Sequence, residues 1–478
     1  MPSYPGFIGP SYQSVSYMAD AERLINRFPE ANESSSAPSP WVLLQCPGFR
    51  FVAQPPSAAL GRGIFSQNGI TLFVAGNVLY SLNADNSVTA RATLAGDANP
   101  CTFMTNGDAG SQVGVTSGNQ FYVVSVPGFG VTPVTTTGAT MCGFLDGFGF
   151  ILDASSSTLQ VTNFENFLVV NPGNIAQRTA GSDPWRALYI VNRLAYLLGE
   201  RTSEVWWNNG GAPFPLAPIQ EGFMQEGIGA PFSGARLDTS LLWVSHNDQG
   251  RGKIVAASGY TPQRVSTHAV EASLQTYSTL ADAIGFSYQE NGHTFYTVTF
   301  PTAQRTWCYD QSSSLFHERL YWNTTLATWT AYRPGFACSD TARNLVQDRA
   351  TGAIYEMTTQ VFTDVDGAMI RRLRQPPRLS FDQRRFITNS IELIADKGNG
   401  LVMGQGALPQ VMRRTSKDGG KTWGNEHWAT SGPIGAFGTR IRWTQCGQAR
   451  NRVDEFVDTD PVFAPWVDCV INVTLGTS

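Results

Sequence analysis

Between about residues 50 and 365 one pattern returns: a short apolar strand, a polar turn, and a second strand that ends near an aromatic residue or an Asp. The stretch "GITLFVAGNVLYSLN" (69–83) is strand, Gly-Asn turn, strand, and the same reading holds for "NQFYVVSV" (119–126) and "GFGFILDASSSTLQVTN" (147–163). It continues through "ALYIVNRLAYLLGERTSEVWWN" (187–208), "SLLWVSHNDQGRGKIVAAS" (240–258), "HTFYTVTFPTAQRTWCYDQSSSLFHERLYWN" (293–323) and "GAIYEM" (352–357). Units recurring about every 40 to 50 residues have the spacing of propeller blades. Alternation of apolar and polar positions favours antiparallel sheets.

The rest of the chain reads differently. Residues 1–50 are Pro- and Ser-rich, with "ESSSAPSPW" (33–41) expected to be flexible or extended. Amphipathic helix is expected only at 17–28 and 271–285. After Asp366 the texture changes to "AMIRRLRQPPRLSFDQRRF" (368–386), six arginines in a short span, followed by strands expected at 387–396, 408–416, 421–429, 438–446 and 464–475. The expected fold is therefore all-β: an extended N-terminal segment (1–50), a β-propeller of about six blades with inserted loops (51–365), and a C-terminal β-sandwich or barrel (366–478).

Composition supports a turn-rich β protein. Of 478 residues 47 are Gly and 27 Pro, and only 15% are charged, against ~25% in an average domain. The net charge of -4 carries no polyanion-binding signature, but its distribution is uneven. Residues 1–365 hold 18 basic and 26 acidic groups (18 − 26 = −8), and residues 366–478 hold 15 and 11 (15 − 11 = +4). Only Lys253, Lys397, Lys417 and Lys421 are lysines; the other basic residues are Arg, the cation suited to planar, partly buried contacts. The seven cysteines (46, 101, 142, 308, 338, 446 and 469) are widely spaced and never CxxC, so buried free thiols are expected, not a disulfide framework or a zinc site. The N-terminus lacks the pattern of a signal peptide, and no apolar run approaches the ~20 residues of a membrane span.

"TSKDGGKTW" (415–423) has the Ser416-x-Asp418-x-Gly420-x-Thr422-Trp423 pattern of the Asp-box found in sialidases and other propellers. The motif is a hairpin turn: Asp accepts backbone N–H bonds and Gly supplies positive φ. Sialidases repeat it and add an Arg cluster and a Tyr nucleophile. One good copy is found here, so Ser416, Asp418, Gly420 and Trp423 are assigned a structural turn. The five His are scattered without catalytic or metal spacing. "DVDGAM" (364–369) begins like a calcium loop, but Gln375 stands where the twelfth-position Glu belongs, which leaves a linker turn. Glu204 in "SEVWW" is expected to face water or a neighbouring subunit. No catalytic, cofactor-binding or metal-binding residue is assigned, and no cofactor is expected.

Several stretches taken in order resemble the tail hub or nozzle proteins of short-tailed phages, also called packaged-DNA stabilisation proteins or tail accessory factors. These are "INRFPE" (25–30), "LLGERTSEVWW" (197–207), "PIQEGFMQEGIGAPFS" (218–233), "WCYDQSSSLFHERLYW" (307–322), "RRTSKDGGKTWGNE" (413–426) and "RIRWTQCGQARNRVDEFVD" (440–458). The long segment "NRFPEANESSSAPSPW" and an insertion before Trp329 depart from the pattern. The resemblance implies a virion protein, assembled in the host bacterial cytoplasm, that forms a homo-hexameric ring with a propeller in each subunit. The ring would sit below the portal–adaptor complex, extend the DNA channel, retain the packaged genome, and hold fibre, spike, plug or needle proteins. Double-stranded DNA would pass without sequence specificity, and no membrane insertion is implied. The rival readings are a sialidase-like or glycan-binding propeller and a receptor-binding tail fibre.

Two sets of residues are expected at subunit or partner interfaces. One is Arg371, Arg372, Arg374, Arg384 and Arg385 with Arg440 and Arg442, because a guanidinium holds a carboxylate bidentately where water is excluded. The other is the Pro- and Gly-rich stretch 209–233, whose Phe214, Phe223 and Met224 need a covering surface.

Overall fold

The computed structural model describes residues 2–34, 36, 39–178, 180–341 and 343–476. Of the segment 33–41, residues 35, 37 and 38 lie outside the described residues. Among the described residues seven antiparallel blades follow one another, at 61–93, 103–134, 141–177, 185–224, 227–264, 284–318 and 334–358. Within a blade, strands pair in chain order from the inside outwards.

The count is seven where about six was expected, because the last blade draws on both ends of the propeller sequence. Pro334–Asp340, Arg343–Asp348 and Ile354–Thr358 supply three strands, and Gly48–Ala53 adds the outermost. The strand that precedes the first blade thus closes the ring on the last one. The packing of Pro334–Asp340 beside Gly61–Gln67 completes the circle.

Local chemistry explains the turns. Asp146-Gly147 and Asn291-Gly292 put two successive residues at positive φ (50° and 89°, 50° and 82°), the two-residue hairpin that matches strand twist. Asp153, Asp310 and Asp348 each end a buried strand and accept both the N–H two residues on and a hydroxyl three residues on, from Ser156, Ser313 and Thr351. These are the strand-ending Asp residues visible in the repeat.

The central strands are less alternating than a one-sided sheet would be. Leu194–Gly199 and Phe148–Asp153 are buried at every position after the first. Each blade is covered on both faces by its neighbours, so the core is a series of inter-blade layers. The largest layer joins Phe150, Trp185, Tyr196, Trp206 and Trp243 across three blades. All seven cysteines are free and five are buried; burial pushes the thiols of Cys142 and Cys308 up to about 12.

Residues 1–50 are not a separate extended arm. Tyr12–Gln13, Ala21–Ile25, Arg27–Ala31 and Trp41–Gln45 enter the two sheets of the sandwich, together with the strands after 371. One sheet runs Ala21–Ile25, Arg372–Gln375, Asn451–Asp458, Gln410–Ser416, His427–Thr430. The other runs Arg27–Ala31, Trp41–Gln45, Trp466–Leu475, Phe386–Ala395, Ile441–Thr444. The helix expected at 17–28 is absent: the apolar residues of 21–28 are buried because this stretch forms strands in both sheets, and tertiary pairing overrides a helical spacing. The helix expected at 271–285 occupies His268–Gln275, capped by the Thr267 side chain.

The two bodies are joined by hydrogen bonds. Ile25 pairs in parallel with Glu318 on the outer strand of the sixth blade, so that blade and one sandwich sheet form a single sheet. The next residue, Asn26, has φ 55° and turns the chain from one sandwich sheet into the other. Its Nδ2 donates to the carbonyls of Leu320 (2.7 Å) and Arg371 (2.9 Å), and its Oδ1 accepts from the Leu320 N–H (3.0 Å). Around it Ile25, Leu320, Leu373, Met412 and Val457 form a small apolar core shared by both bodies.

Replacing Asn26 by Ala removes three bonds and leaves buried carbonyl and amide groups unpaired, an expected loss of about 2–4 kcal/mol. Asn26→Asp is expected to be worse at neutral pH, because a carboxylate would face two carbonyl oxygens. Chemical denaturation followed by tryptophan fluorescence and hydrogen exchange is the check. In both variants the sandwich and propeller should unfold in separate transitions.

Candidate interface site

The arginines after residue 370 are sorted by the two-residue period of their strands. On Arg372–Gln375, Arg372 and Arg374 point between the sandwich sheets, and Leu373 and Gln375 point outwards with the preceding Arg371. On Gln410–Ser416, Arg413 points in and Arg414 out. On Asn451–Asp458, Arg452 and Asp454 point in and Glu455 out.

The inward set is a buried ionic layer. Arg452 grips both oxygens of Asp454 (2.6 and 2.7 Å), and Arg413 reaches the same carboxylate at 2.8 Å. Burial alone would raise the pKa of Asp454, but Arg452 and Arg413 hold it below the usual range. Arg27 bonds to Asp458 at 2.8 Å and lies 3.9 Å from the Trp466 ring centre, and burial brings it down to about 10. Arg374 bonds to Glu22 and to the carbonyls of Gly6 (2.6 Å), Phe7 (2.5 Å) and Pro10 (2.9 Å). It thereby ties the first residues of the chain to the sandwich. Arg372 donates to the carbonyls of Asp460 and Phe362. Arg372 and Arg374 are fully buried within the chain and are not interface residues, contrary to expectation.

The outward set lines a cleft of about 670 Å³ between the sandwich and a hairpin inserted after the sixth blade, Leu320–Asn323 with Thr328–Ala331. That hairpin brings Trp322 and Trp329 edge to face, 5.0 Å apart. The Arg371 guanidinium lies 4.2 Å from the Trp322 ring centre, and that of Arg414 lies 4.8 Å from Trp423. Arg23, Arg305, Arg371 and Arg414 face Glu426 and Glu455, and with Glu318, the partner of Arg23, the balance is 4 − 3 = +1. Arg23 is paired with Glu318 (2.8 Å) and Arg414 with Glu455 (2.7 Å). Among the described residues no carboxylate lies within ion-pair distance of Arg305 or Arg371. Burial lowers the pKa of Arg371, and its Nε is buried without a hydrogen-bond partner. A guanidinium stacked on Trp322 and Trp329 without an ion-pair partner of its own, in a cleft with excess positive charge, is suited to an incoming carboxylate.

The remaining expected residues are dispersed. Arg384 and Arg385 are exposed on a turn, with Arg384 3.6 Å from Asp382. Arg440 is exposed and pairs with Glu392, and Arg442 reaches Ser390 at 3.2 Å on an outer strand. Phe214 packs against Phe150 of the third blade and Trp206 of its own, and Met224 is buried in the inter-blade core, so both are covered within the propeller of this chain. Phe223 remains 38% exposed. Glu204 faces neither water nor a neighbouring subunit: it is buried and bonds to Arg178 (2.9 Å) and the Trp206 indole (3.0 Å). The 364–369 stretch is a single turn of 3-10 helix capped by Asp364, whose carboxyl is pushed up to about 7 by burial. Sequence reasoning missed Arg23, Arg305, Trp322 and Trp329 as parts of one site. The local signal was a pair of tryptophans flanking a polar turn, "WNTTLATW" (322–329).

The Asp418 turn is self-contained. Its carboxylate accepts from the N–H groups of Lys421 (3.0 Å) and Thr422 (3.0 Å) and from the hydroxyls of Ser416 (2.6 Å) and Thr422 (2.6 Å). Gly420 N–H returns to the Ser416 hydroxyl at 2.8 Å. Trp423 is half-buried at the edge of the cleft.

A family model described as the β-propeller of bacteriophage P22 Gp10 matches residues 11–362, and one described as the β-sandwich of bacteriophage P22 Gp10 matches residues 371–464. No curated protein matches the sequence. Among solved structures, virginiamycin B lyase from Staphylococcus aureus aligns with a TM-score of 0.44 at 11% identity, over 65% of this chain and 98% of that one. A streptogramin B lyase gives 0.45 at 9%, over 66% and 98%. The extracellular domain of the putative one-component system BT4673 from B. thetaiotaomicron gives 0.42 at 10%, over 87% and 58%. At these scores the likeness carries nothing about chemistry.

Two outcomes separate the inward and outward residues. Arg374→Ala strands the Glu22 carboxylate and several carbonyls and is expected to cost about 3–5 kcal/mol. Arg371→Ala is expected to leave the denaturation midpoint nearly unchanged while altering the fluorescence of the cleft tryptophans. Hydrogen bonds from Ser416 and Thr422 depress the pKa of Asp418. The stabilisation from its ionised form is then fully present above the ordinary carboxylate value and is lost only as pH falls through the depressed one. Acid titration by NMR should show the turn intact below pH ~4, and Asp418→Asn, which has no ionisable group there, should give a weaker turn whose stability no longer changes with pH.

Proposed function

Since the chain belongs to the bacteriophage P22 Gp10 family of phage structural proteins, we propose that it is a non-enzymatic subunit of a tail nozzle ring that extends the DNA channel below the portal–adaptor complex. In this reading it helps retain the packaged genome and anchors distal parts such as fibres, spikes, a plug or a needle. The free chain is monomeric or weakly associated and forms a hexamer on the adaptor, since rings formed early in the host cytoplasm would be unproductive.

The observation that carries the reading is the continuous sheet from the sixth blade into the sandwich, pinned at Asn26 and backed by the Arg27, Arg374 and Arg452 ion pairs. A linker would let the two bodies swing; a shared sheet makes a stiff bracket suited to bearing load. The carboxylates that invite a catalytic reading support the mechanical one, because Asp418 and Glu204 spend their acceptor capacity on their own turn and blade. The Arg and Trp cleft is the docking place for an acidic segment of an adjoining ring protein. The acidic balance of residues 1–365 suits a channel that must release DNA, since basic walls would hold its phosphates.

Charge reversal at Arg305 and Arg371 together tests the docking role. Binding to portal–adaptor complexes should weaken, the weakening should shrink at high salt, and particles should lose DNA. The melting temperature of the free chain should hardly move. A double variant that still yields full infectious particles would overturn the assignment of the cleft, and particles whose tails lack this chain would overturn the nozzle reading itself.

A further inference from the structure

One end of the sandwich carries large apolar side chains on three loops that contain no charged residue: 398–409, 431–438 and 461–464. Val402 is 81% exposed, Met403 79%, Phe437 69%, Ile434 61% and Leu408 55%. The loops are knitted together. Leu401 N–H donates to the Gly406 carbonyl (2.8 Å), Gly435 N–H to Gly398 (2.9 Å), and the Asn399 amide to Phe463 (3.0 Å). The buried Asp460 carboxylate accepts from the Gln410 N–H at 2.8 Å and from Gln405. The apolar side chains are therefore presented by an ordered platform.

The exposed parts of these side chains, with Leu401 and Phe463, amount to on the order of 700 Å². That exceeds the roughly 300–600 Å² of the largest patch on a typical monomer and approaches the roughly 800 Å² that one partner gives a standard interface. The tip adjoins the seventh blade: Phe463 lies 6.1 Å from Phe362, whose neighbours Val361 and Thr363 accept from the Gly48 (3.0 Å) and Phe49 (2.9 Å) N–H groups of that blade's outermost strand.

A second apolar area lies on the third and fourth blades. Phe164 (62% exposed) packs over the Asp146-Gly147 turn, Asn208 bonds to Asp146, and Leu168, Val169 and Trp207 are 41%, 43% and 48% exposed nearby. Counted round a ring of seven, blades three and four are the pair farthest from blade seven. The tip and this area thus sit on opposite flanks of the molecule. Both are on the side where the first and second strands of each blade turn, since 146–147 and 340–343 are such turns and Thr359 bonds to Glu290 there.

We propose that the sandwich tip of one copy docks on the flank of blades three and four of a second copy. Two different patches on opposite flanks make a heterologous contact, the kind that closes into a ring when each step adds a rotation. The absence of charge on the tip loops favours a protein surface over DNA or an acidic segment; on the flank, the charges of Asp146 and the exposed Arg193 are paired with each other at 2.9 Å. The inference rests on the ring reading above and names the surfaces that meet.

The test uses the whole chain and sedimentation velocity over the full soluble concentration range. Wild type that associates weakly should go beyond dimers at high concentration. A tip variant (Val402→Glu, Met403→Glu, Phe437→Glu) and a flank variant (Phe164→Glu, Trp207→Glu) should each lose self-association by about tenfold or more. Mixed in equal amounts, they should form a one-to-one dimer and nothing larger, because each retains one intact patch. Unchanged melting curves identify folded variants, and Val402→Ser with Met403→Ser serves as a milder tip variant. Overturning results are a tip variant that associates like wild type, or a mixture that fails to pair while wild type associates (a tip-to-tip contact); if the free wild type stays monomeric, the comparison is made on adaptor-bearing particles, where each variant alone should fail to close a ring. If tip variants still build rings on adaptor-bearing particles, this inference fails and the nozzle reading stands; if the chain is missing from tails, the nozzle reading fails first.

Discussion

The arrangement of the molecule depends on one amide. Asn26 sits where the chain crosses from one sandwich sheet to the other, and its side chain satisfies backbone groups from Leu320 and Arg371, on elements far apart in sequence. An amide is suited to this place because it donates and accepts at once, whereas a carboxylate or an alkyl group would leave buried carbonyls unpaired. Its positive φ is also one that Asn adopts more readily than most residues. With this pin in place the outer strand of the sixth blade and the sandwich share hydrogen bonds, and neither body has a free edge at the junction.

Around the pin the chain places many guanidinium groups in its interior. Buried charges are costly unless paired and fully hydrogen-bonded. Here Arg452 and Arg413 share Asp454, Arg27 has Asp458 and an indole face, and Arg374 gathers three carbonyls of the N-terminal residues besides Glu22. These contacts are directional and hold the first and last parts of the chain in one register. The same alternation that sends these residues inwards leaves Arg371 and Arg414 on the outer face, stacked on tryptophans beside a cleft. Interior ion pairs and the Arg- and Trp-lined cleft are therefore two faces of one sheet.

That division suits a protein whose work is to hold a shape. The propeller derives its stiffness from layers between blades and from ring closure by Gly48–Ala53. The sandwich derives its stiffness from the ionic layer and an aromatic core around Phe7, Phe456 and Trp466. The loops at the sandwich tip, though anchored to both, leave Val402, Met403 and Phe437 largely exposed.

The recurrence of strand, turn and strand, with Asp or an aromatic residue at the strand ends, was enough to establish a propeller, because turn chemistry and alternation are local. The change of texture after Asp366 marked a second β body for the same reason, and Ser416, Asp418 and Gly420 form the turn their spacing requires. What lies beyond local chemistry was decided by the tertiary structure. The seventh blade is completed by a strand some three hundred residues away from its partners, and the stretch 21–28, helical in its spacing, becomes strand because two sheets claim it. Phe214 and Met224 looked like residues in search of a partner and found it in the layer between their own blade and its neighbours. Six arginines in one span looked alike in sequence. Only the pairing of their strands settled that Arg372 and Arg374 would be buried and Arg371 would face the cleft, since period-two alternation distinguishes neighbours but does not say which face is covered.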